Sequence, residues 1–222
     1  MISLVVIILL SYLVGSFPTS IVVGRMLRGI DIRDYGSKNA GGTNVFRVLG
    51  WKPGLFVAAV DVGKGVLATL LVSRIQIGPE PIPLDHTLVQ IIAGSAAVVG
   101  HIWTVLAGFK GGKGVATGAG MLVALFPEAA LICLLIFFAV VLTTRYVSVG
   151  SITATSSLPF VLFFLDRLFN QSVPRSMYIL SICVSGLIVY THRANIRRLL
   201  AGTENRFDKW HFRNTLNSEN RT

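Results

Sequence analysis

The sequence is short of charge. Only 14% of its 222 residues are Asp, Glu, Lys or Arg and 53% are hydrophobic, whereas roughly a quarter of a soluble domain is charged. That balance excludes an ordinary water-soluble globule and leaves a multi-span membrane protein, because each crossing takes about 20 apolar residues as helix. Cysteine is nearly absent: Cys133 and Cys183 are the only two, both inside apolar runs where a thiol packs as a small hydrophobe rather than acting as ligand or nucleophile. Familiar catalytic signatures are missing as well. No His is followed by Asp five residues on, which removes an HxxxxD dyad, and neither GxSxG nor HExxH occurs. A nucleotide P-loop would need Gly at 107 and Ser or Thr at 114, where Ala107 and Gly114 stand. No metal-ligand cluster argues for a metal, and no cofactor is expected.

What is present is a string of apolar runs, at residues 2–23, 54–72, 87–107, 114–126, 128–142, 151–165 and 176–190. They predict an all-α integral membrane protein of seven transmembrane helices, with residues 1–204 as one domain and 205–222 as a polar tail. The first run has no basic n-region and no A-x-A cleavage site, so it reads as a retained helix. Its Gly15, Ser16 and Pro18 are tolerable in a packed span, and Ser16, Ser20 and Gly24 offer a small contact face. The fourth run is short; about thirteen residues reach only ~20 Å, so it is expected to tilt or to be partly re-entrant.

The net charge of +10 is assigned to loops that set topology, not to nucleic-acid binding. Basic residues crowd one alternate set of loops and the C-terminal tail, and the opposite loops hold only Arg74, Arg167 and Arg175. The bias places the N-terminus outside and the C-terminus in the cytoplasm.

Every polar-rich motif falls on the cytoplasmic set: the glycine-rich stretch at 36–65, which opens GSKNAGGTN and carries Arg47, then GFKGGKG at 108–114, RYVSVGS at 145–151 and HRANIRRLLAGTE at 192–204. Glycine-rich turns expose backbone N–H groups and a helix N-terminus adds a positive dipole end, so together they suit phosphate oxygens. Lys113, flanked by Gly111, Gly112 and Gly114, enters the fourth run at the right place; the plainer alternative is a tight turn with an interfacial anchor. Ser37, Asn39, Thr43 and Asn44 are phosphate-binding candidates whose alternative is turn and cap chemistry. Arg47, three residues beyond Asn44, can grip a phosphate bidentately. His192 and Asn195 share a helical face and form a substrate-orienting pair, with Ser148 and Ser151 in support. Asp61 and Lys64, at i and i+3 inside the second run, read as a structural ion pair facing the bundle. His101 reads as a hydrogen-bonding packing residue.

These motifs resemble the bacterial acyl-phosphate:glycerol-3-phosphate acyltransferases, the PlsY family. The likeness is carried by GSFP at 15–18, DIRDYGSKNAGGTNVFRVLG at 31–50, DVGKG at 61–65, GH at 100–101, FKGGKGVAT at 109–117, RYVSVGS and HRANIRRLLAGTE. The family usually has Gly where Lys38 stands, Ala where Gly42 stands and Pro near Thr104. The resemblance implies a multi-pass protein of the bacterial inner membrane whose active site faces the cytoplasm. It implies transfer of a fatty acyl group from acyl phosphate to the 1-hydroxyl of glycerol 3-phosphate, giving lysophosphatidic acid and phosphate in phospholipid biosynthesis. Membrane lipid and the enzyme that makes acyl phosphate are the implied partners. Ser37, Arg47, Lys113, His192 and Asn195 would be catalytic, and Glu204, at the end of the last motif, structural. The proton acceptor is left between His192 and an oxygen of the substrate's own phosphate. A membrane carrier for phosphate or another small anion is the competing class; its site would be expected near the midplane in repeat-related broken helices, and no internal repeat is visible.

Overall fold

A computed structural model describes residues 1–79 and 81–207. Most of the polar tail therefore lies outside the described residues. Among those described, the chain forms helices and no strand. Helices α1 (Ile2–Ser16) and α2 (Thr19–Arg28) lead to α3 (Gly42–Leu49) and α4 (Trp51–Leu70), followed by α5 (His86–Ile102) and α6 (Val115–Leu125). Helices α7 (Pro127–Thr144), α8 (Val147–Leu168), α9 (Arg175–Thr191) and α10 (Arg193–Leu200) complete the bundle.

Among the described residues, five segments are long and apolar enough to cross a membrane: Ile2–Arg28, Trp51–Arg74, His86–Ala107, Pro127–Thr144 and Val147–Leu168. Helices α9 and α10 make a sixth if the pair, bent by 57° at His192, counts as one span. The short fourth run is α6, whose 11 residues extend only ~16 Å, so length alone does not make it a crossing. Large apolar side chains stay exposed along α7, among them Leu131, Leu135, Phe138 and Leu142. Such a surface is stable against hydrocarbon and costly against water.

The first run is not one continuous helix. Pro18 lacks an N–H and its ring disfavours a helical residue before it, so the chain breaks between Ser16 and Thr19. The freed carbonyls are taken up by neighbours: Lys64 Nζ donates to Phe17 O at 2.6 Å, and Thr104 Oγ1 donates to Ser16 O. The small face at Ser16, Ser20 and Gly24 is divided by the same break. Ser16 Oγ donates to Gly100 O on α5, whereas Gly24 packs on the backbone at Ile30.

Helices α4 and α6 touch backbone to backbone. A Cβ at Gly65 would lie 2.1 Å from Thr117 O, and one at Gly120 would lie 2.0 Å from Val62 O. Both contacts require glycine and press α6 against α4 just where the 108–114 loop ends. The main apolar core, with Met121, Leu158, Leu162 and Leu180, joins α6 to α8 and α9. A second cluster, built on Ile32, Val45 and Val57, seats α3 and the preceding loop on α4.

Candidate active site

Ser37, Asn39, Thr43, Arg47, Lys113, Gly114, Ser148, Ser151, His192 and Asn195 line one cavity of about 490 Å³, together with Asn44, Asp61 and Glu204. One region of its wall is polar; the remainder is apolar and includes Met121, Leu122, Phe137, Leu158 and Leu180. Residues far apart in the chain, from Ser37 to Glu204, thus meet in one pocket.

The centre of the polar end is a bonded chain. Lys113 Nζ donates to Asn195 Oδ1, Asn195 Nδ2 donates to Glu204 Oε1 at 2.6 Å, and Arg198 Nε donates to Glu204 Oε2 at 2.7 Å. Ser148 Oγ also donates to Glu204 Oε1, at 3.0 Å. Asn195 can do this because α10 turns away from α9 at His192, which aims the first turn of α10 back across the pocket. The Glu204 carboxylate thereby fixes the Asn195 amide with its oxygen toward Lys113. Arg198 was not singled out from sequence; its signal is position, on the Asn195 side of α10 and six residues before Glu204.

Burial pulls the Lys113 ammonium down to about 8; Glu204 opposes that fall, and Arg198 and Arg47 add to it. At the joint between α9 and α10, burial lowers the His192 imidazole to about 4, helped by the Lys113 charge and opposed by the Ile188 carbonyl. Burial raises the Glu204 carboxyl, but hydrogen bonds from Asn195, Arg198 and Ser148 outweigh it and hold the group below the usual range. Burial likewise lowers Arg47. His192 Nδ1 lies 2.8 Å from Ile188 O. A carbonyl can only accept, so Nδ1 carries the proton and Nε2 is left with a lone pair.

Arg47 and Lys113 line the cavity with the carboxylates Asp61 and Glu204, but Asp61 is paired with Lys64 and Glu204 with Arg198, both outside the lining, so the balance is positive, and the N-terminal end of α6 adds a positive dipole end. The arrangement is a cationic anion site above an apolar chamber. No group of three or more His, Cys, Asp or Glu stands together among the described residues.

Three assignments change with the geometry. Gly111 N–H donates to Ile102 O and Gly112 N–H to His101 O, each at 3.0 Å, so these amides cap the end of α5 and do not face the cavity. A Cβ at Gly112 would lie 2.2 Å from His101 Nε2 and 2.8 Å from Ala40 O, so close packing is what glycine supplies there. Gly114, with φ +83°, does line the cavity and lets the chain turn into α6. Asn44 also lines it, but its side chain is occupied: Nδ2 donates to Ile32 O and Tyr35 O, and Oδ1 accepts from Ser37 N–H at 2.8 Å. It shapes the loop that presents Ser37 and leaves no donor for a ligand.

Asp61 and Lys64 form a buried pair at 2.6 Å, which Thr19 Oγ1 joins at 3.4 Å and His101 Nδ1 approaches at 3.7 Å. Lys64 points to the break in the first span, not into the cavity. Lys38, where glycine is usual, adopts φ +58°, the left-handed region that costs an L-residue roughly 1–2 kcal/mol; its side chain is at least partly open to solvent.

Residues 5–202 match the family model described as glycerol-3-phosphate acyltransferase. The glycerol-3-phosphate acyltransferase of Chlorobium phaeobacteroides strain BS1 is 48% identical over 229 residues, covering 93% of this chain and 97% of that protein. The one from Chlorobaculum tepidum is 46% identical over 226 residues, with the same shares covered. Among solved structures, the glycerol 3-phosphate form of PlsY (YgiH), an integral membrane glycerol 3-phosphate acyltransferase, superposes with a TM-score of 0.78. It is 38% identical, with 92% of this chain and 96% of that chain covered. The lysophosphatidic acid form of PlsY gives a TM-score of 0.75 at 37% identity.

Proposed function

Since the chain belongs to the glycerol-3-phosphate acyltransferase family, we propose that its cavity is where glycerol 3-phosphate is acylated, with acyl phosphate as donor. The protein is a multi-pass membrane enzyme that transfers an acyl group to glycerol 3-phosphate. Residues 1–204 act as one acyltransferase domain. The observation that carries the reading is the Lys113–Asn195–Glu204 chain lining the same cavity as a large apolar wall. Such a site suits a molecule with an anionic phosphate and a long hydrocarbon tail.

The chemistry needs no covalent enzyme intermediate, because an acyl phosphate is a mixed anhydride with a good leaving group. The glycerol 1-hydroxyl attacks the acyl carbonyl carbon, the bond from that carbon to the phosphate oxygen breaks, and phosphate leaves with the electron pair. Lys113, Ser37, Thr43 and the first amides of α6 hold the acyl-phosphate head and the charge that develops on it. Arg47, Asn39, His192 and Asn195 hold glycerol 3-phosphate, with Ser148 and Ser151 behind them. Glu204 and Arg198 act through Asn195 as positioning residues, and Asp61 and Lys64 brace the first span.

The hydroxyl proton has two acceptors in reach of this arrangement. His192 Nε2 has the lone pair, but an imidazole lowered to about 4 is a weak base at neutral pH. The glycerol 3-phosphate dianion, whose second pKa is about 6, is better matched. The proton therefore goes to the substrate's phosphate, and His192 orients it.

The helices accommodate seven crossings if α1 and α2 count as one and α6, with its flanking residues, crosses where the bilayer is locally thinned. We assign the N-terminus to the outside, and the C-terminus and active site to the cytoplasmic face of the bacterial inner membrane, where acyl phosphate would be delivered by the enzyme that makes it.

The test is direct. Purified protein given acyl phosphate and glycerol 3-phosphate should release lysophosphatidic acid and phosphate, and Lys113→Ala should lose at least ~100-fold in kcat/KM while remaining folded in detergent. Full activity of that variant would remove Lys113 from the phosphate site. Phosphate counterflow in liposomes without acyl transfer would favour a carrier instead.

A further inference from the structure

The loop that bears Lys113 is held from outside the cavity by a residue with no part in the chemistry above. Arg33 lies in the DIRD segment just before Ser37. Its Nη1 donates to Ala107 O at 2.9 Å and to Lys110 O at 3.3 Å, the two carbonyls that bracket the tight turn at Gly108 and Phe109. Its other edge is locked to Asp31: Nε donates to Oδ1 at 3.0 Å and Nη2 to Oδ2 at 2.7 Å, a two-pronged pair. Asp31 Oδ1 also accepts from the Arg33 backbone N–H at 3.0 Å, so the carboxylate starts the short turn Ile32–Asp34 while holding the guanidinium.

The turn so gripped is tightly wound. Gly108 has φ +66° and Phe109 has φ +59°, and Phe109 N–H returns to Thr104 O at 2.8 Å. Lys113 follows a few residues later. The same short segment that carries Arg33 continues to Ser37, and its conformation is set by Asn44. Arg33 is thus a direct side-chain link between the two loops that present Ser37 and Lys113.

We propose that the Asp31–Arg33 pair is a positioning device that sets the spacing of the Ser37 and Lys113 loops and thereby determines how well the acyl-phosphate head is held. The proposal rests on the placement of that head between those loops. A guanidinium is required because one planar group must serve a carboxylate on one edge and two carbonyls on another; an ammonium concentrates its donors on one atom. Loss of the link frees the 107–113 segment to drift and loosens the grip on the acyl-phosphate head, a loss of binding that reads in KM for that substrate with kcat kept.

Steady-state kinetics of the full-length enzyme in detergent separate this role from a structural one. Arg33→Lys and Asp31→Asn are expected to raise KM for acyl phosphate about tenfold, with kcat per folded enzyme and KM for glycerol 3-phosphate within about threefold of the unmodified enzyme. As a control, Arg28→Lys, at the exposed end of α2, should leave all three constants unchanged. If Arg33→Lys lowers only the amount of folded enzyme, or depresses kcat with KM for acyl phosphate unaltered, the positioning role is wrong. If Lys113→Ala leaves KM for acyl phosphate unaltered, the head is not held by that loop and the underlying placement fails first.

Discussion

Raising the pH should disarm the enzyme by removing one proton. Burial brings Lys113 from the ordinary 10.5 down to about 8, so the residue is about nine-tenths charged at pH 7 and about one-tenth at pH 9. If the ammonium holds the acyl-phosphate head, kcat/KM for acyl phosphate should be level near pH 7 and fall about tenfold per unit above pH 8. The sign is fixed by the depressed lysine: its charged form is complete well below the folded pKa and lost as pH rises through it. A bound anion favours the ammonium, so the limb should sit higher in kcat, which reports the loaded enzyme, than in kcat/KM, which reports the free one.

Phosphate release measured over short times, with spontaneous anhydride hydrolysis subtracted at each pH, gives both constants. Glycerol 3-phosphate is a dianion throughout the alkaline range, its second pKa lying near 6, so it contributes no limb there. Lys113→Arg is the companion experiment, because a guanidinium stays charged far above pH 9. That variant should keep a reduced but level kcat/KM where the unmodified enzyme declines. A profile of the unmodified enzyme that is level to pH ~10 would mean that Lys113 is solvated and ordinary, and would refute the buried Lys113–Asn195 contact as the working state.

Other substitutions probe the parts separately. His192→Ala should keep turnover within about tenfold at saturating glycerol 3-phosphate while raising its KM, because the substrate's phosphate takes the proton; a loss of ~1000-fold in kcat would make His192 the base. Glu204→Ala removes three hydrogen bonds to a buried carboxylate, each worth about 1.5–3 kcal/mol when charged. It should cut kcat/KM at least ~100-fold by freeing Asn195. Lys64→Met leaves Asp61 and the Phe17 carbonyl without their shared donor and should destabilise the protein by about 3–5 kcal/mol; thermal melting in detergent reads this, and the double variant with Asp61→Leu should recover part of it. Lys38→Gly relieves the left-handed residue at φ +58° and should raise the melting temperature slightly, with activity unchanged.

The convergence of the polar motifs was legible because a membrane leaves little choice. Helices that must cross place alternate loops on the same side, so a count of seven crossings puts Ser37, Lys113, Ser148 and His192 on one face, and it is the cavity that brings the four together. Their polarity then stood out against runs with nowhere else to put a charge. Glu204 and the Asp61–Lys64 pair were likewise readable, the first from the end of a motif and the second from i, i+3 spacing at membrane depth. What the residue pattern could not reveal was which donors are already spent. GGKG advertises backbone amides, yet the His101 and Ile102 carbonyls, left open by the end of α5, claim those of Gly111 and Gly112. Asn44 reads as a ligand-binding amide until the path of 32–37 brings two carbonyls to its nitrogen.

The break at Phe17–Pro18 follows the same logic and connects the two halves of the molecule. Hydropathy sees an unbroken apolar run from Ile2 to Val23, since it scores side chains and is blind to the N–H that Pro18 lacks. A broken helix at membrane depth leaves open carbonyls, each costing several kcal/mol if unpaired in hydrocarbon. Here the compensation comes from a charge the sequence placed in the middle of another span: Lys64 closes Phe17 O and Asp61 neutralises Lys64 at 2.6 Å. Asp61 in turn lies beside His101, whose ring backs Gly112 and whose carbonyl takes its amide. The charged pair that looks most like a buried active site thus stands at the cavity's edge, with Asp61 in the lining and Lys64 turned away from it, an arrangement that fits the bracing role proposed for the pair. It fixes the break in the first span and the floor of the glycine loop, while Lys113, carried by that same loop, is turned the other way into the cavity.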